Sequence, residues 1–155
     1  RRFNRIDDTV YAGGHLCKLF FQLFNLNKPA EVRTVEFYRF IRADAAEFIF
    51  QKKASGERYD IIILDPPTFS NSKMTDTVLD LVKDWPRFVN GCIALLAKGG
   101  VLYFSTNAKR LRFDESLIEA PAEKNAITVR DITASTIPED FLQKKPHRAW
   151  EIRRN

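Results

Sequence analysis

The hydrophobic pattern is clearest in the middle of the chain. Tyr59–Leu64 is a run of Ile and Leu entered by Tyr-Asp and stopped abruptly by Asp65-Pro66-Pro67. A continuous apolar run closed by prolines reads as a fully buried central strand of a parallel sheet. A second strand, Val101–Ser105, is launched by the Gly99-Gly100 turn. Between them, Arg87–Ala97 sets Phe88, Cys92, Leu95 and Leu96 on one helical face. Pro86 fits the first turn of that helix, where a missing N–H costs nothing. The result is one βαβ unit.

Upstream, Val32–Val35 and Arg39–Arg42 read as strands, and Leu16–Phe24 as an apolar helix. Asp44–Lys53 reads as a helix capped by Asp44, with Glu47 three residues on completing a capping box. Downstream, Ile127–Ile132 and Ala149–Arg153 form a late pair of strands, expected as an antiparallel hairpin at one edge. The order as a whole predicts one α/β domain over residues 1–155: an open sheet, mostly parallel, with helices on both faces. One spacing disturbs it. Val35-Glu36 and Tyr38-Arg39 are almost adjacent, whereas parallel neighbours need a crossover of roughly a dozen residues. A break in the natural sequence near Glu36–Phe37 is the favoured explanation, and one bent strand is the other. Arg1-Arg2 at the start, without a Met, likewise suggests a piece of a longer protein.

Composition narrows the function only a little. The 155 residues are 45% hydrophobic and 29% charged, which suits a single globular domain. No apolar stretch approaches a membrane span, and no apolar segment follows the basic start as a secretory signal requires. Cys17 and Cys92 lie far apart, without a second pair to form a metal knuckle, and suit a reduced, cytoplasmic protein. A net charge of +5 favours a polyanionic partner. Basic residues gather at Arg1-Arg2-Arg5, Lys109-Arg110-Arg112 and Lys144-Lys145-His147-Arg148, with Arg153-Arg154 beyond. Each cluster is either an RNA contact or a solvated face.

The chemistry concentrates in Asp65-Pro66-Pro67-Thr68-Phe69-Ser70, at the carboxyl end of the buried strand, where ligands of open α/β sheets bind. Two prolines stiffen the loop and remove two donors, leaving carbonyls to accept from a substrate amine. Asp65 can accept a base N–H, and Phe69 can stack on a base face. A bare Pro-Pro turn is the plainer reading. The aromatic and the preceding Ile-Ile-Ile-Leu favour a site that holds a planar heterocycle.

Asp60–Lys73, DIIILDPPTFSNSK, closely resembles the guanine-N7 methyltransferases of large-subunit (23S) ribosomal RNA, the carboxyl-terminal half of bifunctional RlmKL-type proteins. The resemblance runs from Arg39 to Trp150 through RADAAEFI, LLAKGGVLYFSTNAKRLRFDE and ITASTIPEDFLQKKPHRAW. DPP alone is shared with other amino- and ring-nitrogen methyltransferases, but DPPTFSNSK followed by GGVLYFSTN is specific. The resemblance implies the seven-stranded Rossmann-like class I methyltransferase fold and S-adenosylmethionine as methyl donor. It gives Asp65, Pro66, Pro67 and Phe69 the catalytic positions. Asp44 and Ala45 match the segment that contacts the cofactor adenine, although Asp44 also has its capping role. Glu36 matches the ribose-binding acid, or is an exposed strand-end charge. Asp7, Gly13 and Gly14 align with the family's glycine loop, and a plain Gly-Gly turn is the competing reading. Asp65 borders the cofactor as well. Thr68, Ser70, Asn71, Lys73, Asn107, Lys109, Arg110 and Arg112 would face ribosomal RNA. His147 is given no proton-transfer role.

Guanine N7 has a free lone pair and needs no general base. The same loop could serve an exocyclic amine, guanine N2 or adenine N6. A cytosine-C5 enzyme would need a nucleophilic cysteine near the loop, and neither cysteine is so placed. An inactive RNA-binding module that keeps the fold is the remaining alternative.

Overall fold

The computed structural model describes residues 8–12, 19–24, 39–71, 78–119, 121, 126–141, 144 and 146–155. Its strands are β1 (Asp8–Ala12), β2 (Leu19–Phe24), β3 (Arg39–Arg42), β4 (Tyr59–Asp65), β5 (Phe69–Asn71), β6 (Val78–Asp80), β7 (Leu96–Thr106), β8 (Ile127–Asp131) and β9 (Arg148–Arg154). Its helices are α1 (Ala45–Ala54), α2 (Leu81–Leu95) and the single turn α3 (Thr133–Thr136). Seven strands share one sheet in the order β3-β1-β2-β4-β7-β9-β8, and β5-β6 form a separate hairpin.

β4 and β7 pair in parallel at the centre, as the βαβ unit predicts, and β8 and β9 form the expected antiparallel hairpin. Five of the seven strands run in one sense, with β2 and β9 reversed. The reversal of β2 departs from the pattern reading, because Leu19–Phe24 was expected inside a helix. LFFQLF is short and aromatic-rich, so it suits a pleated surface between two partners as well as a helical one. It pairs antiparallel with both β1 and β4. Asp7-Asp8-Thr9 is a poor buried strand by pattern, yet Asp8–Ala12 is a strand paired with both β2 and β3. Val32–Val35 and the proposed break at Glu36–Phe37 lie outside the described residues, and β3 takes β1 as its parallel neighbour.

α2 begins six residues before the expected start and ends at Leu95, so Pro86 lies inside it. The reason is the cap. Asp80 accepts from Val82 N–H at 3.1 Å, and Asp84 accepts from Asp80 N–H at 2.9 Å, so both orphan donors are met a turn and a half upstream of the proline. α1 begins after Asp44, which accepts from Glu47 N–H at 3.0 Å. The Glu47 carboxylate accepts from Gln51 at 2.8 Å, so the box is met on the Asp44 side.

The core lies between one face of the sheet and these two helices. Ile62, Leu64, Leu102, Phe104, Trp150 and Ile152 share that face by register, and none is more than 2% exposed. Each contributes on the order of 1.5–3 kcal/mol of transfer free energy. α1 approaches α2 so closely that a Cβ at Gly91 would meet Ile49 Cγ2 at 2.7 Å. Helices were expected on both faces; among the described residues α1 and α2 both pack on this one face. Gly100 allows the close β4–β7 crossing, since a Cβ there would sit 3.0 Å from the Tyr59 carbonyl and 2.9 Å from that of Ala97. The Gly-Gly pair is therefore built into β7, which already begins at Leu96. No described helix is long and apolar enough to cross a membrane.

Candidate active site

β4 and β7 end together, so Asp65 and Ser105 emerge side by side from the carboxyl edge of the sheet. Ser105 Oγ donates to Asp65 Oδ1 at 2.5 Å. One oxygen of the exposed Asp65 carboxylate is thereby held, and the pair lies on the face opposite the helices. The chain then turns through buried Pro66 and half-buried Pro67 and Thr68. The Thr68 carbonyl accepts from Leu81 N–H at 3.3 Å, tying the loop to the first residue of α2. Phe69, Ser70 and Asn71 form β5, paired with Asp80, Leu79 and Val78 of β6. The aromatic residue thus starts a hairpin that leaves from the site and returns to α2. Neither this hairpin nor the Ser105 bond was legible in the motif. Ser105 carried one signal only, as the last residue of the second buried strand.

Beyond β7 the chain alternates in burial. Ala108 and Leu111 are 4% and 2% exposed and face the core, while Asn107, Lys109, Arg110 and Arg112 are exposed. Thr106 Oγ1 accepts from Ala108 N–H at 3.0 Å, and Leu111 N–H donates to the Ala108 carbonyl at 3.0 Å. Phe113 stacks on Trp85 at 4.6 Å and on Trp150 at 4.5 Å. Asn90 of α2 closes the loop from behind, donating to the Leu117 carbonyl and accepting from Glu119 N–H, each at 3.0 Å. The predicted basic cluster is therefore displayed on a pinned loop beside Asp65. Asn90 was not foreseen, because its partners are 27 and 29 residues away.

The second half of the expected site starts at Asp44, where β3 ends at the same edge. Three strand spacings separate β3 from β4, about 14 Å at the usual interstrand distance. Ala45 is buried, and the half-buried Asp44 spends one oxygen on its helix cap. Its carboxylate has the chemistry to accept from an adenine amine with the other oxygen, so both roles can coexist. Ala12 ends β1 at this edge too, just before the predicted Gly13-Gly14. Asp7, Gly13, Gly14, Glu36 and Lys73 lie outside the described residues.

Two further residues are settled by position. Cys92 is fully buried in α2, and burial pushes its thiol well above the usual range, which removes it as a nucleophile. His147 shares a 3.0 Å bond with Thr136 Oγ1 at the turn into β9.

No protein-family model matches the chain. Curated relatives do. Ribosomal RNA large subunit methyltransferase K of Neisseria meningitidis serogroup B is 40% identical over 118 residues, which is 76% of this chain and 32% of that protein. The K/L protein of Hahella chejuensis is 40% identical over 131 residues, 84% of this chain and 16% of its own length. This chain is a relative of the large-subunit ribosomal RNA methyltransferases K and K/L. It spans at most about a third of the length of these two relatives. Solved structures agree on the fold. The methyltransferase SMU.776, solved with SAH, superposes with a TM-score of 0.58 at 20% identity, over 77% of this chain and 32% of that one. The SAM-dependent methyltransferase from Agrobacterium tumefaciens gives 0.53 at 21% identity, over 76% and 40%. The predicted class I methyltransferase fold is therefore the observed one.

Proposed function

We propose that this chain is the catalytic core of an S-adenosylmethionine-dependent methyltransferase acting on large-subunit ribosomal RNA, and that it methylates guanine N7. The observation that carries the reading is the Asp65 carboxylate, held by Ser105 at the sheet's carboxyl edge beside a pinned basic loop. When bound, S-adenosylmethionine would supply an electrophilic methyl group. Asp44 and Ala45 would receive its adenine, with Glu36 at the ribose and Asp7, Gly13 and Gly14 along the rest of the cofactor. Asp65 and the Pro66 carbonyl would hold the guanine edge through its N–H donors, and Phe69 would stack on the ring. Thr68, Ser70, Asn71 and Lys73 would continue the RNA contact along the hairpin. Asn107, Lys109, Arg110 and Arg112 would take the phosphates, where arginines bond in bidentate fashion.

N7 carries its lone pair in the ring plane, so no proton has to leave and no base is required. Catalysis by these residues is then orientation, which can contribute roughly 7–11 kcal/mol. A base in duplex RNA would first be extruded, at a cost of a few kcal/mol. We expect this chain in the cytoplasm, with its ribosomal RNA substrate.

Methyl transfer to ribosomal RNA by wild type, Asp65→Ala and Phe69→Ala tests the reading, with cofactor affinity measured by calorimetry. Both variants should abolish transfer; Phe69→Ala should leave cofactor affinity near wild type, and Asp65→Ala, which also borders the cofactor, should weaken it only slightly. Lost cofactor binding with an intact rate per bound complex would overturn it. Nucleoside mass spectrometry of the product separates N7-methylguanosine from an N2-methylguanosine or N6-methyladenosine outcome.

A further inference from the structure

Arg148 opens β9 at the same carboxyl edge, on the helix-covered side of the rim with Trp150, and register sets it opposite Thr106, one residue beyond the Ser105–Ala149 pair. Its guanidinium carbon lies 4.6 Å from the centre of the Trp150 ring. Its Nη2 donates to Asp131 Oδ2 at 3.3 Å, so the guanidinium is held between a carboxylate and an indole. Partial burial of Asp131 opposes ionisation, but its bonds from Thr133 and Arg148 prevail and hold its carboxyl below the usual range. Trp150 is itself packed into the core. It is 2% exposed and stacked against Phe104 at 5.4 Å and Phe113 at 4.5 Å. Even so, the Arg148 side chain remains 44% exposed.

A guanidinium fixed in this way no longer behaves as a mobile point charge. Its position is set by the indole it lies over and by the carboxylate it bonds, and 44% of the side chain stays open to solvent. Bases splayed from single-stranded RNA stack on such planes. Phe113 joins the aromatic cluster to the loop that displays Lys109, Arg110 and Arg112, so base platform and phosphate contacts belong to one rigid surface. Resting on the function proposed above, we propose that Arg148 is a stacking platform for an unpaired nucleobase flanking the target nucleotide. Its partner is single-stranded RNA next to the modified position, recognised by a base face with Asp131 and Trp150 holding the platform.

The test separates stacking from charge. Binding of the full chain to a short end-labelled single-stranded RNA is followed by fluorescence anisotropy across a salt series. An abasic strand with the same phosphates is measured in parallel. Arg148→Lys keeps the charge and loses the plane. It should weaken binding to the normal RNA about tenfold, in the range of one base–aromatic stack. It should leave the salt slope at its wild-type value, and it should not change binding to the abasic strand. Arg148→Ala should give a similar loss on the normal RNA, and melting curves of both variants check the β8–β9 hairpin. Wild-type affinity in Arg148→Lys, or an equal loss on the abasic strand, overturns the platform. If both Arg148 variants bind like wild type while wild type still methylates ribosomal RNA, only the platform fails. If wild type neither binds nor methylates RNA, the functional reading fails first and takes the platform with it.

Discussion

The two faces of the central sheet are built to different ends. On the helix-covered face, Ile62, Leu64, Leu102, Phe104 and Ile152 are completely buried, and Trp85, Phe104, Phe113 and Trp150 form a continuous aromatic cluster. On the opposite face the same strands present half-buried Ile61, Ile63 and Tyr103, then Glu151, then the Asp65–Ser105 pair at the rim. Glu151 is nearly buried, yet it accepts from Arg153 at 2.9 and 3.0 Å and pairs with Arg130 at 3.1 Å. Tyr103 donates to it at 3.3 Å. The Arg153 bonds hold the Glu151 carboxyl below its usual range against partial desolvation, while burial and the neighbouring Glu151 raise the Tyr103 hydroxyl. One face supplies transfer free energy, and the other carries charge and the Asp65–Ser105 pair. Because period-2 strands send alternate residues to opposite faces, adjacent positions such as Phe104 and Ser105 serve unrelated purposes.

The sharpest way to break this division is to cut each face and read stability and activity separately. Phe104→Ala should have the largest effect, costing about 3–5 kcal/mol in denaturant unfolding, as large-to-small changes in packed cores do. A loss below about 1 kcal/mol would mean that the aromatic cluster is not the core. Gly100→Ala belongs to neither face and should cost about 1–3 kcal/mol, because the added methyl meets carbonyls that cannot move aside. Ser105→Ala should slow single-turnover methyl transfer about tenfold, the value of one bond to a charged group, with unfolding and cofactor affinity unchanged. Ser105→Thr should restore the rate. A Ser105→Ala rate equal to wild type would remove Ser105 from the site and leave Asp65 there.

Glu151→Gln should have the smallest effect, about 1 kcal/mol at neutral pH, because its arginine partners are exposed and screened. Its sign follows from the lowered carboxyl. That stabilisation is complete above the unfolded carboxylate value, about 4.3, and is lost as pH falls through the folded one. Thermal melts of wild type and variant should therefore converge in acid. A gap that stays constant down to about pH 3 would show that Glu151 contributes shape and not charge.

The candidate site was legible where local chemistry determines it. A buried strand ending in Asp-Pro-Pro-Thr-Phe announces its own carboxyl end, and Asp44 with Glu47 announces a helix start. α2 was misjudged because Pro86 looked like a first-turn residue. The Asp80 cap, with Asp84 bonding back to Asp80 N–H, outweighed a single missing donor. Leu19–Phe24 differs because five apolar residues around Gln22 carry no decisive period, and strand partners made the choice.

By itself, the sequence determined the βαβ centre, the terminal hairpin, the Asp65 loop and the basic segment after β7, because each follows from burial, stiffness or charge within a few neighbours. Only the tertiary structure decided that Ser105 would hold Asp65 from 40 residues away. It also decided that Asn90 would pin the basic loop and that Trp150 with Asp131 would fix Arg148. Those contacts depend on strand order and register, which join residues distant in sequence and leave no local pattern to read.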